Sequence, residues 1–249
     1  MKKLILIALC NLAVLGGFSQ TSFVTSGKIE FERKVNLHRQ MTAGETGDWI
    51  DGFKKLIPQF RIDYFSLVFN ENKALYSISK EDASEASTMF FNTPAMDNSV
   101  FTDYKDKVSV SNKLVFESRF LLTDSLVNRK WRIEPETRTI AGFECRKAVT
   151  AICDSVVVVA FYTDQIIPQG GPESFSGLPG MILGLAVPRL YTTWFATKLE
   201  VITAADETKI VAPAKGKKAN YNDMNASVTK AIKTYGPKFF DRSIWSVTL

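Results

Sequence analysis

Few residues of this chain have the types and spacing that catalysis requires. His38 is the single histidine among the 249 residues, and no Ser or Cys motif adjoins it. A nucleophilic triad needs a histidine that is oriented by an acid and reaches a nucleophile. We therefore interpret His38 as a solvated loop residue, and we predict no Ser–His–Asp catalytic set.

Metal and carboxylate chemistry is just as poorly represented. One histidine and separated cysteines make no tetrahedral N/S set for zinc, and the acidic residues show no calcium-loop spacing, so we predict no metal and no cofactor. The acid pairs Asp48/Asp51 and Glu134/Glu136 have the composition that glycoside hydrolases use. Their polar contexts predict solvated surface carboxylates instead, and we expect a protein that is not an enzyme.

The cysteines are consistent with an oxidising compartment but do not predict a bridge. Cys145 and Cys153 form the even pair that is left once the N-terminal segment with Cys10 is removed. If both lie on one extended strand, eight steps of ~3.3 Å separate them far beyond disulfide reach. A Cys145–Cys153 disulfide is therefore not expected, and we favour two unpaired thiols.

The N-terminal segment has the pattern of a secretory signal peptide. Lys2 and Lys3 precede an apolar run from Leu4 to Leu15, and small residues follow it up to Ser19. The run is shorter than the ~20 apolar residues of a spanning helix, so we favour cleavage after Ser19 over a retained anchor. We expect a protein of the periplasm, the cell envelope or the extracellular space, with no transmembrane segment after signal cleavage.

Composition limits the class of partner and the number of domains. The formal charge is +5, with 45% hydrophobic and 23% charged residues, and two of the positive charges belong to the signal peptide. Mild basicity without clustering is no footprint for nucleic acid. Roughly 230 residues remain after cleavage, enough for one large β domain or two small ones. We predict a signal peptide over 1–19, a β-rich domain over 20–212, and a Lys-rich tether with a C-terminal helical tail over 213–249.

Hydrophobic alternation predicts strands along most of the chain. Gly27 to Asn36 reads as a half-buried first strand, and Arg61–Asn70 with Ala74–Ser79 as paired strands. Thr139–Thr150 and Ser155–Thr163 form the clearest hairpin. Helical spacing appears over 48–60 and 221–236. The fold class is therefore mainly β, a β-rich α+β chain: a single curved antiparallel sheet or open barrel with one or two peripheral helices.

A glycine- and proline-rich stretch interrupts this pattern. Five of the 14 glycines and three of the nine prolines fall between Ile167 and Gly184, a density that excludes a regular element. Within it, Gly177-Leu178-Pro179-Gly180-Met181-Ile182-Leu183 closely resembles the signature that names the GLPGLI family, with Met181 in place of the usual Leu.

Further residues extend this resemblance in order and spacing over about 131–218. They are Trp131, Gly142, Cys145, Lys147, Gly171, Pro172 and Phe175. Phe161 departs from the pattern, because a Trp is common there in the family. The resemblance implies an exported protein of the Gram-negative envelope, without an established activity. The pattern is also similar, more faintly, to the open β-barrels of periplasmic lipoprotein carriers.

Apolar loop residues supply the candidates for a binding site. They are Phe175, Gly177, Leu178, Pro179, Gly180, Met181, Met89, Phe90 and Phe91. The signature either closes a hydrophobic groove or docks a partner, or it is a turn that lets Met181, Leu183 and Leu185 enter the core; we favour the turn. The predicted function is a non-catalytic exported protein that binds an apolar small molecule or an envelope protein. The alternatives are a structural component of an exported assembly, and a hydrolase built from carboxylates or Ser.

Overall fold

The computed structural model describes residues 23–42, 47, 51–52, 54–80, 96–115, 117–232 and 237–249. The predicted signal peptide and the candidates Met89, Phe90 and Phe91 lie outside the described residues. The domain boundaries therefore stay predictions.

Within this part of the chain, strands dominate and join in one open sheet. They are β1 (Gly27–Asn36), β2 (Phe60–Phe69), β3 (Lys73–Lys80), β4 (Ser99–Asp103), β5 (Val108–Val115), β6 (Ser118–Ser125), β7 (Arg132–Ile140), β8 (Phe143–Ile152), β9 (Val156–Thr163), β10 (Met181–Val187), β11 (Thr192–Glu200) and β12 (Lys217–Ala219). The order across the sheet is β12-β6-β5-β4-β3-β2-β1-β11-β10-β9-β8-β7. The prediction of a mainly β chain with a single open sheet is confirmed.

Short helices flank the sheet. They are α1 (Leu37–Thr42), a 3₁₀ turn (Pro188–Leu190), α2 (Ala204–Glu207), α3 (Tyr221–Ile232) and α4 (Pro237–Thr248). The stretch predicted as a tether contains β12, which pairs in parallel with β6 and extends the sheet. No helix in the described ranges is long and apolar enough to cross a membrane.

Alternation of side chains places the core on one face of the sheet, here called the inner face. In β1, every second residue is buried, including Ile29, Phe31 and Arg33. The rings of Phe65 and Tyr76 stack on this face with centroids 4.8 Å apart. Such aromatic contacts add about 0.5–1.5 kcal/mol to the burial itself, so this pair stabilises the inner face.

One strand is buried on both faces. In β10, Met181, Ile182 and Leu183 are each at most 1% exposed, which is typical of a strand covered from both sides. The covering segment passes close by, since the backbone N–H of Ile182 donates to the Gly170 carbonyl at 2.8 Å. The glycine-rich stretch before β10 is thus packed onto the sheet.

The surroundings of His38 differ from the prediction. The residue belongs to α1 and is half-buried, and its Nε2 lies 3.1 Å from the Ile57 carbonyl oxygen. The interpretation as a solvated loop residue is wrong, because the chain before β2 folds back against α1 and covers the ring.

Candidate functional site

A cavity of about 710 Å³ lies between the inner face of β2–β6 and the segment from Gly170 to Ser176. Its lining includes apolar side chains from the strands and the covering loop: Leu67, Ala74, Tyr76, Val100, Leu122, Leu126, Val127 and Phe175. Thr248 of α4 and Tyr221 of α3 also line the cavity. A volume in the range of about 300–1,000 Å³ is typical of small-molecule sites.

Strand register decides which side chains of β5 face the cavity. Ser109, Ser111 and Lys113 occupy alternate positions, so they share one face of the strand. Ser111 is opposite Val100 of β4 and Leu122 of β6. The cavity wall is therefore mixed: apolar side chains lie beside a polar row along β5, and further polar side chains come from the residues after β4, from β6 and the residues after it, and from the covering segment.

Three buried polar atoms of the wall have no hydrogen-bond partner among the described residues. They are Tyr104 Oη, Ser109 Oγ and Arg129 Nε. Buried polar groups are nearly always satisfied, so each unpaired one calls for an explanation. Because all three side chains line one cavity, a bound molecule that supplies the missing partners is a physical explanation.

The covering segment needs glycine at its start. A Cβ at Gly170 would lie 2.2 Å from Tyr104 Oη, and one at Gly171 would lie 2.7 Å from the Ile182 Cβ. Pro172 follows and is buried, and Glu173 then adopts a positive φ of 56°. Such a conformation is uncommon outside glycine and costs about 1–3 kcal/mol. The surrounding contacts must hold Glu173 in place.

Those contacts bury the Glu173 carboxyl group completely. Asn98 Nδ2 donates to Glu173 Oε2 at 2.8 Å, and the Tyr76 hydroxyl lies 3.5 Å from Oε1. The Arg33 guanidinium is 3.9 Å away. Burial raises the pKa of Glu173, with Arg33, Asn98 and Lys113 opposing that shift.

Glu173→Gln is expected to make the stability of the protein less dependent on pH. With its pKa raised by folding, Glu173 holds a proton that the unfolded chain releases, so its contribution is fully present below the unfolded pKa. That contribution is lost as pH rises through the folded pKa. Urea unfolding between pH 4 and pH 8 measures this as the slope of unfolding free energy against pH. Equal slopes for both proteins would contradict the assignment.

Two cations line the cavity near the ends of the helices. Lys113 Nζ donates to the Val247 carbonyl oxygen of α4 at 2.7 Å, and burial lowers the pKa of Lys113 to about 8. The Arg129 guanidinium lies over the Phe175 ring at 4.5 Å and donates to Ser174 Oγ at 3.2 Å. Burial also lowers the pKa of Arg129. The cavity therefore combines an apolar wall with positive charge.

A buried ion cluster lies beside the cavity on β1 and β2. Arg33 Nη2 is 2.7 Å and Arg61 Nε 3.1 Å from Asp63 Oδ2. The side chain of Asp63 is fully buried. The two positive charges thus share one carboxylate, and Glu173 extends the cluster toward the cavity.

The predicted binding residues Phe175 and Gly177 to Met181 separate into wall, rim and core. Phe175 lines the main cavity, and Gly177 lines an adjoining one of about 480 Å³. Leu178 and Met181 are buried in the core. Pro179 is exposed, and Gly180 has a φ of 134° with its Cα against the Thr163 carbonyl.

The neighbouring motif residues occupy structural positions. Trp131 Nε1 donates to the Ser176 carbonyl at 3.0 Å, and its ring meets Phe175 edge-on. Gly142 has a φ of 87° in the turn between β7 and β8, after Ala141 with a φ of 50°. Two positive φ values in a two-residue turn are typical of a type I′ hairpin.

Lys147 and the acid pair of β7 form one exposed ion network. Lys147 Nζ lies 3.2 Å from Glu134 and 2.8 Å from Glu136. Hydrogen bonds from Arg132 and Lys147 lower the pKa of Glu134, and hydrogen bonds from Lys147 and Arg138 lower that of Glu136. β7 is the last strand in the sheet order and carries Pro135. Charges and proline on such a strand discourage pairing with another chain.

The two described cysteines are free. Cys145 is buried in β8, and burial raises its thiol pKa to about 12. Cys153 is exposed in the turn between β8 and β9, with a φ of 46°. Cys145 thus lies near the start of β8, and Cys153 lies just after its end.

Sequence reasoning missed the polar residues of the cavity. Ser109 and Lys113 lie on β5, whereas Tyr104, Arg129 and Glu173 each belong to another segment of the chain. The available signal was the alternation Ser109-Ser111-Lys113, which puts three polar residues on one face of a strand. Only strand pairing shows that this face is the inner one.

The architecture and the cavity define an open-sheet domain with a ligand-sized interior. Two crystal structures of PNGF-II, in different space groups, share this fold. One match covers 82% and the other 89% of this chain, each with a TM-score of 0.51 and 14% sequence identity. This chain spans only 33% of the length of those structures.

The sequence itself gives the family. Residues 66–224 match the family described as N-glycanase peptide, N-terminal domain. That match takes in more than half of the chain, so the chain belongs to this family. No curated protein matches the sequence.

Proposed function

We propose that this chain is an exported, non-catalytic domain that binds a small apolar ligand in the cavity. The observation that carries the proposal is the cavity of about 710 Å³ between β2–β6 and the segment from Gly170 to Ser176. Predominantly apolar walls with a few placed polar groups are the usual composition of small-molecule sites. The signal-peptide pattern and the GLPGLI resemblance support export to the envelope.

The rim of the adjoining cavity supports entry of an apolar molecule. Val127 is 52% and Ile167 48% exposed, and both line the smaller cavity, together with Tyr104 and Gly177. Tyr104 and Val127 line the main cavity as well. Exposed apolar side chains that cluster around a concave surface are typical of ligand-binding sites.

Ser111→Phe is expected to weaken binding of an apolar dye such as Nile red by at least about tenfold, equivalent to about 1.4 kcal/mol. The new ring would project from the middle of β5 into the cavity between Val100 and Leu122. Fluorescence titration of the purified protein measures the dissociation constant.

Ser77→Phe is the matched control for this experiment. Ser77 follows Tyr76 in β3 and therefore points to the opposite face of the sheet. Its dye affinity should equal that of the unmodified protein. Equal affinities for both variants and the parent, with unchanged melting temperatures, would place the dye elsewhere and remove the support for a ligand cavity.

Glu173 favours a second candidate, a hydrolase acting on an N-glycan. A buried carboxyl with a raised pKa that lines a cavity has the properties of a general acid, and the family is described by the words N-glycanase peptide. Incubation with an N-glycosylated peptide, followed by mass spectrometry, tests it. The binding function predicts intact glycopeptide; a release that Glu173→Gln abolishes would favour the hydrolase.

A further inference from the structure

We propose that the ligand is an amphiphile with an anionic head group, and that Arg129 binds this head group with Lys113 as the neighbouring cation. The inference rests on the proposed function and names the class of ligand. The shared chemistry is a long alkyl chain that ends in a carboxylate or a phosphate.

The charges around the cavity are the first support. Lys113 and Arg129 both line it. Of the acids in the lining, Asp124 is exposed. The carboxyl group of Glu173 has a raised pKa, accepts a hydrogen bond from Asn98 and lies 3.9 Å from Arg33. The interior therefore has positive charge that a bound anion would neutralise. Such electrostatic complementarity makes the cavity specific for anionic ligands.

Arg129 is held in a geometry that suits an anion. Its guanidinium is stacked over Phe175 at 4.5 Å, and one of its terminal nitrogens donates to Ser174 Oγ at 3.2 Å. Nε remains buried and unpaired within the described part of the chain. A guanidinium fixed by stacking offers planar N–H donors that match the two oxygens of a carboxylate or phosphate.

Lys113 strengthens the case because it repels Arg129. Lys113 is buried and Arg129 is half-buried. Burial lowers the pKa of Lys113, Glu173 and Asp124 oppose that shift, and Arg129 adds to it. Two like charges in a low-dielectric interior destabilise each other, whereas an anion beside them stabilises both. Lys113 also donates to the last turn of α4 at Val247, which fixes its position.

Tyr104 and Ser109 extend the polar contacts toward the other part of the cavity. Tyr104 follows β4, and Ser109 is opposite Thr102 of the same strand, so both lie at one end of the β4–β5 pair. Their hydroxyl oxygens have no hydrogen-bond partner among the described residues. They can therefore donate to an ester or hydroxyl oxygen of the ligand.

The test is a competition experiment with the full purified chain, in which three probes displace Nile red: palmitate, cetyl phosphate and cetyl alcohol. Arg129→Met is expected to weaken palmitate or cetyl phosphate binding by at least about tenfold, as expected for loss of a charge-assisted hydrogen bond. Cetyl alcohol should bind equally to the variant and the parent. Arg129→Lys should restore part of the affinity for the anions, because it restores the charge but not the planar fork.

Lys130→Met is the matched control. Lys130 follows Arg129 in the chain but is exposed. The Lys130→Met substitution should therefore leave all three affinities unchanged. Melting temperatures check that each variant folds. Comparison of palmitate with cetyl phosphate shows whether the head group is a carboxylate or a phosphate.

Two different outcomes would contradict the anionic head group and the ligand cavity separately. If all three probes bind the parent with equal affinity and Arg129→Met changes none of them, the anionic head group is wrong while the apolar ligand stands. If neither the dye nor any probe binds the parent, the proposed ligand cavity itself is wrong.

Discussion

Asp63→Asn is expected to lower the free energy of unfolding by about 3–5 kcal/mol, the usual cost of removing one partner from a buried ion pair. Asp63 is fully buried and lies within 2.7 Å of Arg33 and 3.1 Å of Arg61. A neutral amide removes the negative charge that both guanidinium groups share. Their desolvation would then be compensated much less, and Phe65, over which Arg33 stacks at 4.6 Å, would lose a fixed neighbour.

Urea unfolding followed by circular dichroism measures this change. The matched control is Glu30→Gln on β1, since the pair of Glu30 with Lys28 at 2.8 Å is about one-third exposed on both sides. An exposed pair contributes about 0–1 kcal/mol. A loss of less than about 1 kcal/mol for Asp63→Asn would mean that the two arginines are solvated rather than dependent on Asp63.

Gly180→Ala is expected to cost more than about 3 kcal/mol of stability, because two causes act together. The φ of 134° is a conformation that only glycine adopts readily. In addition, a Cβ would lie 2.0 Å from the Thr163 carbonyl oxygen, which is backbone of β9 and cannot rotate away. The strand that follows, β10, would be displaced from β9 along its length.

Gly142→Ala separates the two causes. Gly142 also has a positive φ, 87°, but a Cβ there would meet nothing within 4 Å. The cost should be about 1–2 kcal/mol, from the backbone conformation alone. If both variants lost the same stability in thermal unfolding, the close approach of Gly180 to β9 would have no energetic consequence.

The two glycines also show what the signature does in the fold. Gly180 allows the chain to approach β9 before β10 begins, and Met181, Leu183 and Leu185 are then buried. This agrees with the turn that we favoured for the signature. Gly177 meanwhile lies in the lining of the smaller cavity, so the same turn also contributes to the rim.

Most of the strands can be predicted from the sequence. Alternation of polar and apolar residues is a local property, and it marked β1 and the hairpin of β8 and β9 because a strand exposes its two faces in turn. The predicted strand Thr139–Thr150 began too early, because Thr139 and Ile140 end β7 and Ala141-Gly142 form the turn into β8. The turn between β8 and β9 was equally visible, since Cys153-Asp154-Ser155 has turn chemistry and both Cys153 and Asp154 adopt positive φ. The complete burial of Ile182 could not be predicted from the sequence, because it results from the packing of the segment at Gly170 against β10.

The cavity could not be predicted from the sequence, because its lining comes from distant parts of the chain. Along the sequence, Lys113 precedes β6 and Arg129 follows it. Glu173 comes more than 40 residues after Arg129, and Val247 belongs to α4. Arg33 meets Asp63 because the antiparallel register of β1 and β2 places them opposite each other. The local pattern of polar and apolar residues determines on which face of its strand a side chain lies. Which other side chains it meets on that face depends on strand order, on register and on the packing of α4 against the sheet.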